Sequence, residues 1–101
     1  MKSSYKKENG TMTVALDGRL DSTNAQAFNE ELGNKMTDGL NILFDFKDLS
    51  YISSAGLRVI FSWQKKASET GNSIKVINVC NDVYEILNVT GFTDIFKVER
   101  V

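Results

Sequence analysis

Two adjacent hydroxyls, Ser53 and Ser54, stand in the stretch SYISSAGLRVIF, residues 50 to 61, with Ala55 and Gly56 directly after them. Three chemistries suit such a pair: a catalytic nucleophile, a helix cap, or an acceptor for a group that another protein transfers. The nucleophile is the easiest to test. A hydrolase elbow needs a glycine two positions to either side of its serine. Ser54-Ala55-Gly56 supplies the second half, but Ile52 stands where the first glycine belongs. The chain contains no histidine at all. That removes the base of Ser-His-Asp and Cys-His catalysis, imidazole acid-base chemistry and His-ligated metal sites. A single cysteine, Cys80, cannot build a structural zinc site, and no phosphate loop of the G-x-x-x-x-G-K-[ST] type is present. The pair is left as a cap or as a target. A serine at a helix start accepts a bond from a free backbone N–H, which contributes ~0.5–2 kcal/mol.

The composition narrows the class. With 101 residues, 42% hydrophobic and 25% charged, the chain reads as one small domain over residues 1 to 101. Its net charge is −1 with both signs interspersed, so it lacks the clustered basic patch that nucleic acid would require. No apolar run approaches the ~20 residues needed to span a bilayer, so membrane insertion is not expected. The beginning, MKSSYKKENG, is basic but has no apolar segment behind it, unlike a signal peptide. One cysteine allows no internal disulfide, and a cytoplasmic location is the default expectation.

The elements that must position the serines alternate. Residues 3 to 8 suit a short polar strand, and Asn9-Gly10 is a hairpin turn signal. Met12, Val14 and Leu16 alternate with polar or small residues as in a half-buried strand, which Asp17-Gly18 is expected to break. Gly18 suits a turn with positive φ. Ala25, Phe28, Leu32 and Met36 then recur at helical spacing, with Ser22, Thr23 or Asn24 as the cap. After a linker ending at Gly39, the apolar run 40 to 46 reads as a central parallel strand. A second helix is expected over about 54 to 69. It carries Leu57, Ile60, Phe61 and Gln64 on one stripe, and Val59, Trp63 and Ala67 on another. Trp63 and Phe61 read as packing residues, Lys65-Lys66 as a solvated face, and Cys80 as packing at a strand end. Thr70-Gly71-Asn72 stops the helix, and 73 to 79 is the next strand. Asn81 or Asp82 is expected to cap a third helix bearing Val83, Ile86 and Leu87, with Gly91 beyond its end. A turn at 93 to 96 leads to a final strand at 97 to 101. The order β-β-α-β-α-β-α-β predicts an α/β fold with a mostly parallel sheet.

Three segments carry a family resemblance. DFKDLSYISSAGLRVI resembles the signature of STAS domains, in particular bacterial anti-sigma factor antagonists. DGRLDSTNA, residues 17 to 25, is similar to the family's Gly-x-Leu-Asp turn into the first helix. LNVTGFTDIFKV, 87 to 98, is similar to its closing segment. The likeness covers nearly the whole chain in the family's order. It implies a STAS-like mixed sheet with helices packed on one side, in agreement with the pattern above.

The resemblance also implies a mechanism. An anti-sigma factor antagonist binds an anti-sigma factor that is also a serine kinase, and so frees a sigma factor for transcription. The kinase phosphorylates a serine at the start of the second helix and the complex dissociates; a metal-dependent serine phosphatase resets it. In the family the target serine is followed two residues later by glycine, which on this chain is Ser54 with Gly56 behind it. Many members have aspartate before the target and a second serine after it. Here Ser53 and Ala55 hold those places, so an acidic neighbour is lost and a rival acceptor, Ser53, is gained. The implied partner-binding set is Asp21, Ser53, Ser54, Ala55, Gly56 and Arg58, with Asp21 beside the target; no cofactor or metal is implied. A second reading is a STAS docking module of a membrane transport or lipid-transport assembly. A third, a weak nucleotide binder or hydrolase, has no phosphate loop or base to support it.

Overall fold

The computed structural model describes residues 1 to 37 and 39 to 100. Strand β1, Lys2–Glu8, turns through Asn9-Gly10 into β2, Thr11–Leu20, its antiparallel neighbour. Both turn residues have positive φ, +51° and +77°, as a tight hairpin turn of this kind demands. Helix α1 spans Ala25–Lys35, β3 Asn41–Ile52, α2 Ser54–Glu69, β4 Ile74–Val79 and α3 Asn81–Val89. A 3₁₀ turn at Phe92–Asp94 leads to β5, Lys97–Arg100. The expected final strand reached Val101, which lies outside the described residues.

The strands lie in the order β1-β2-β3-β4-β5, and every pair after the hairpin is parallel. One register line crosses the sheet through Tyr5, Val14, Phe44, Val76 and Val98. All five face the same side, where Phe28 and Leu32 of α1, Leu57, Ile60 and Trp63 of α2, and Val83 and Leu87 of α3 close over them into one core. Apolar burial at ~25 cal/mol per Å² holds this layer together. The opposite face carries Thr13, Ala15, Leu43, Asp45 and Ile77, half-buried, with no helix over it among the described residues. The outer edges of the sheet are β1 and β5.

Several boundaries depart from the sequence reading. Asp17-Gly18 does not break β2, which runs through it with Gly18 at φ +110°; the register against β3 shifts on either side because β3 carries one extra residue at each shift. The strand expected at 40 to 46 runs on to Ile52. On α2 the buried face is Gly56, Leu57, Ile60, Trp63 and Ala67, drawn from both proposed stripes, while Val59, Phe61 and Gln64 are half-buried. Helix α1 stops at Lys35, because Met36 is extended at ψ 144°. The position capping α3 is Cys80, not Asn81 or Asp82. Cys80 leaves the strand in extended backbone; Asp82 falls in the first turn, where a carboxylate meets the helix dipole. Asn81 instead accepts a bond from Arg100 of β5 at 2.7 Å.

Candidate functional site

The bulged second half of β3, paired with the end of β2, brings the site together. Leu20 and Ile52 are register partners at the ends of these parallel strands. One residue further on, the Ser53 N–H donates to the Leu20 carbonyl at 2.9 Å, so Asp21 and Ser53 leave the sheet side by side. Two more links fix this end. The Ser50 hydroxyl donates to the Gly18 carbonyl at 2.9 Å, and the Arg19 guanidinium lies 4.3 Å above the Tyr51 ring.

Beyond Ile52 the two serines divide the work. Ser53 is the N-cap of α2: its backbone is extended, at φ −93° and ψ 174°, and its Oγ accepts from the Gly56 N–H at 3.3 Å. The Ser53 carbonyl accepts from the Leu57 N–H. Ser54 is the first helical residue, and its side chain is exposed and takes no part in the cap. With Gly56 and Leu57 occupied in this way, the N–H groups of Ser54 and Ala55 are the orphan donors that any α-helix start leaves. They point the positive end of the helix dipole at the space beside the Ser54 hydroxyl.

Gly56 holds this helix start down on the sheet. A Cβ added there would lie 2.8 Å from Leu20 Cγ and 2.9 Å from Ile52 Cγ1, closer than van der Waals packing allows. Only a residue without a side chain lets α2 approach the ends of β2 and β3 so closely.

Asp21 enters a turn that its neighbours stabilise. Its carboxylate accepts from the Thr23 hydroxyl at 2.6 Å and the Thr23 N–H at 3.0 Å. The Thr23 hydroxyl, then the Thr23 N–H, hold its pKa below the usual carboxylate value, with the Arg19 charge adding to the effect. Asn24 staples the same turn: its Oδ1 accepts from the Asp21 N–H at 3.0 Å, and its Nδ2 donates to the Arg19 carbonyl at 2.8 Å. Asn24 therefore occupies the cap position of α1 without capping it. The sequence reading saw Asn24 only as one of three caps and did not single out Arg19 or Tyr51. The signal that could have found Asn24 was its spacing, three residues after Asp21 in a polar run.

Arg58 is exposed on the second turn of α2 and borders a groove on each flank of the helix. One groove, about 570 Å³, has an apolar floor of Leu57, Phe61 and Phe92, with Ser54 at one end and Lys65 on its rim. The Phe61 and Phe92 rings meet at 6.0 Å. The other, about 440 Å³, lies between α2 and α1 and is lined by Ser22, Ala25, Asn29, Ala55 and Val59. Beneath it the Trp63 indole donates to Asn29 Oδ1 at 2.8 Å and ties the two helices. The arrangement thus gathers Asp21, Ser53, Ser54, Ala55 and Arg58 at one end of the molecule, with Gly56 buried beneath them.

The STAS domain model matches residues 2–101. The chain belongs to the STAS domain family. Among its relatives is BtrV of Bordetella bronchiseptica, named as an anti-sigma factor antagonist. It is 31% identical over 99 residues, covering 97% of this chain and 85% of that protein. The anti-sigma-B factor antagonist of Bacillus subtilis is 27% identical over 93 residues, covering 92% of this chain and 85% of its own length. A solved structure from Thermotoga maritima, also named as an anti-sigma factor antagonist, superposes with a TM-score of 0.90 at 23% identity. It covers 98% of this chain and 86% of the other. The five-stranded mixed sheet with three helices is therefore the STAS fold. In this STAS domain, no helix among the described residues is long and apolar enough to cross a membrane.

Proposed function

We propose that this STAS domain is an anti-sigma factor antagonist whose binding is switched by phosphorylation of Ser54. In the unmodified form it occupies an anti-sigma factor serine kinase in the cytoplasm and so frees a sigma factor. The observation that carries this reading is the division between the two serines: Ser53 is engaged as the cap, while the Ser54 hydroxyl stands exposed at the helix start. An acceptor must reach a kinase without unfolding its own domain, and Ser54 meets that condition.

The kinase transfers the terminal phosphoryl group of a nucleoside triphosphate. The Ser54 Oγ–P bond forms as the phosphoanhydride breaks, the nucleoside diphosphate leaves, and the hydroxyl proton passes to a base on the kinase. A phosphate at this position meets the orphan N–H groups of Ser54 and Ala55 and the positive end of the helix, so the domain tolerates it. The partner does not. The phosphate adds about −1.5 to −2 charges and new bulk to the docking surface. At ~4 Å, one like-charge contact costs about 1–4 kcal/mol between water and protein-surface dielectrics, which lowers affinity by about fivefold to several hundredfold. A serine phosphatase returns the hydroxyl. The domain itself performs no turnover in this scheme.

Incubation with the cognate kinase and ATP, followed by phosphopeptide mapping, tests the reading. Phosphate is expected on Ser54, with little on Ser53. Phosphate on Ser53, or on a serine outside this loop, would overturn the assignment.

A further inference from the structure

We infer that Arg58 is the intramolecular receptor of the Ser54 phosphate, so that modification both adds a negative charge and withdraws an arginine from the docking surface. The inference rests on the reading of Ser54 as the modified residue.

Arg58 follows Ser54 by four residues, one turn along α2, and both border the same groove. Side chains on an α-helix lean toward its N-terminus and cover the preceding turn. From its place one turn on, Arg58 is within reach of a group carried by Ser54. An acidic group four residues before a basic one is also the favourable order for such a pair, because each then complements the helix dipole. Among the described residues Arg58 is exposed and has no carboxylate within ion-pair distance; the two ion pairs found there join Lys6 to Glu8 and Lys75 to Glu99. Among the described residues, then, its guanidinium has no ion-pair partner in the unmodified protein. A phosphate on Ser54 offers it two oxygens in the planar, two-pronged geometry that guanidinium binds best. Lys65 borders the same groove, but at eleven residues from Ser54 it lies about three turns further along the helix.

Before modification, then, the arginine stands on the crest between the two grooves as a cation available to a carboxylate of the partner. After it, the arginine is folded back onto its own helix. One chemical event changes two features of the surface.

The ion pair is measured on the full chain with phosphoserine installed at position 54 during synthesis, so no kinase is needed. The second ionisation of the phosphate is followed by phosphorus NMR in the parent and in Arg58→Gln, Arg58→Lys and Lys65→Gln. The charged groups lining the groove beside Ser54 are Arg58 and Lys65 on α2, with Asp21 just past the adjoining strand end, and all but the substituted one are constant across the series. Arg58→Gln should raise the phosphate pKa by at least about half a unit, Arg58→Lys by less, and Lys65→Gln hardly at all. The difference should shrink at high salt. An equal pKa in the parent and Arg58→Gln overturns the inference. So does an equal rise in Lys65→Gln, which would reduce the effect to general positive charge. Because the phosphate is placed directly, neither result bears on which serine a kinase selects. Kinase mapping to another serine would remove the switch while leaving the measured ion pair standing.

Discussion

Ser53 and Ser54 differ by one position and one φ/ψ setting, and that difference decides what each hydroxyl does. The sequence allowed either to be the cap or the acceptor; the choice depends on where the extended backbone of β3 gives way to helix, which local propensity does not fix to a single residue. The consequence is measurable by denaturant unfolding. Ser53→Ala should lower stability by ~0.5–2 kcal/mol, toward the low end given its 3.3 Å bond, whereas Ser54→Ala should change it by less than about 0.5 kcal/mol. Asp21 offers a second test at this scale. Its folded pKa lies below the ordinary 3.8, so its ionised form is favoured by the fold. The resulting stabilisation is present above the unfolded value and is lost as pH falls through the folded one. Removing the Thr23 hydroxyl in Thr23→Val should bring the Asp21 pKa back toward 3.8, read from the carboxyl carbon in an NMR titration.

At the scale of elements, the long second half of β3 was the part least legible in the sequence, and its packing explains why. Residues Asp48 to Ile52 pair only with β2, since the register with β4 covers Ile42 to Asp45. Lys47, Asp48 and Ser50 are therefore exposed, and the extra residues of β3 at its two register shifts with β2 space the buried residues as Phe46, Leu49 and Ile52, so the two-residue alternation fails. Where pairing was regular, as in β2 up to Leu16 or in β4 up to Ile77, alternation and strand agreed. The caps failed for a related reason: Asn24 has the right residue type, but its side chain is engaged by the turn before it. The set Asp21, Ser53, Ser54, Ala55, Gly56 and Arg58 was proposed from a family likeness, and no periodicity argument would have brought β2, β3 and α2 to one end. Gly56 is the joint of that assembly. Gly56→Ala should cost ~1–3 kcal/mol by forcing its methyl into Leu20 and Ile52, visible as a lower Tm, with the first turn of α2 shifted. Ser54→Asp, one turn-position away but pointing outward, should leave the melt nearly unchanged while weakening kinase binding by ~1–3 kcal/mol in calorimetry. Binding as tight as the parent would show that this helix start is not the docking surface.

For the whole molecule, a single core on one face of the sheet leaves the helices anchored along their length, and the proposed switch is confined to one end of the helical layer. The remaining perimeter poses a separate problem. Two strands, β1 and β5, end the sheet with unpaired backbone groups that another chain could extend by adding a strand of its own. Both are armoured with charge: Lys2, Lys6, Lys7 and Glu8 on one, Lys97, Glu99 and Arg100 on the other, all exposed. Replacing Lys6 and Lys7 by valine should leave the register Tyr5 to Val14 intact yet produce concentration-dependent growth in light scattering. The lysines of an unremarkable N-terminal strand thus decide how crowded a solution this protein tolerates before its sheets begin to join.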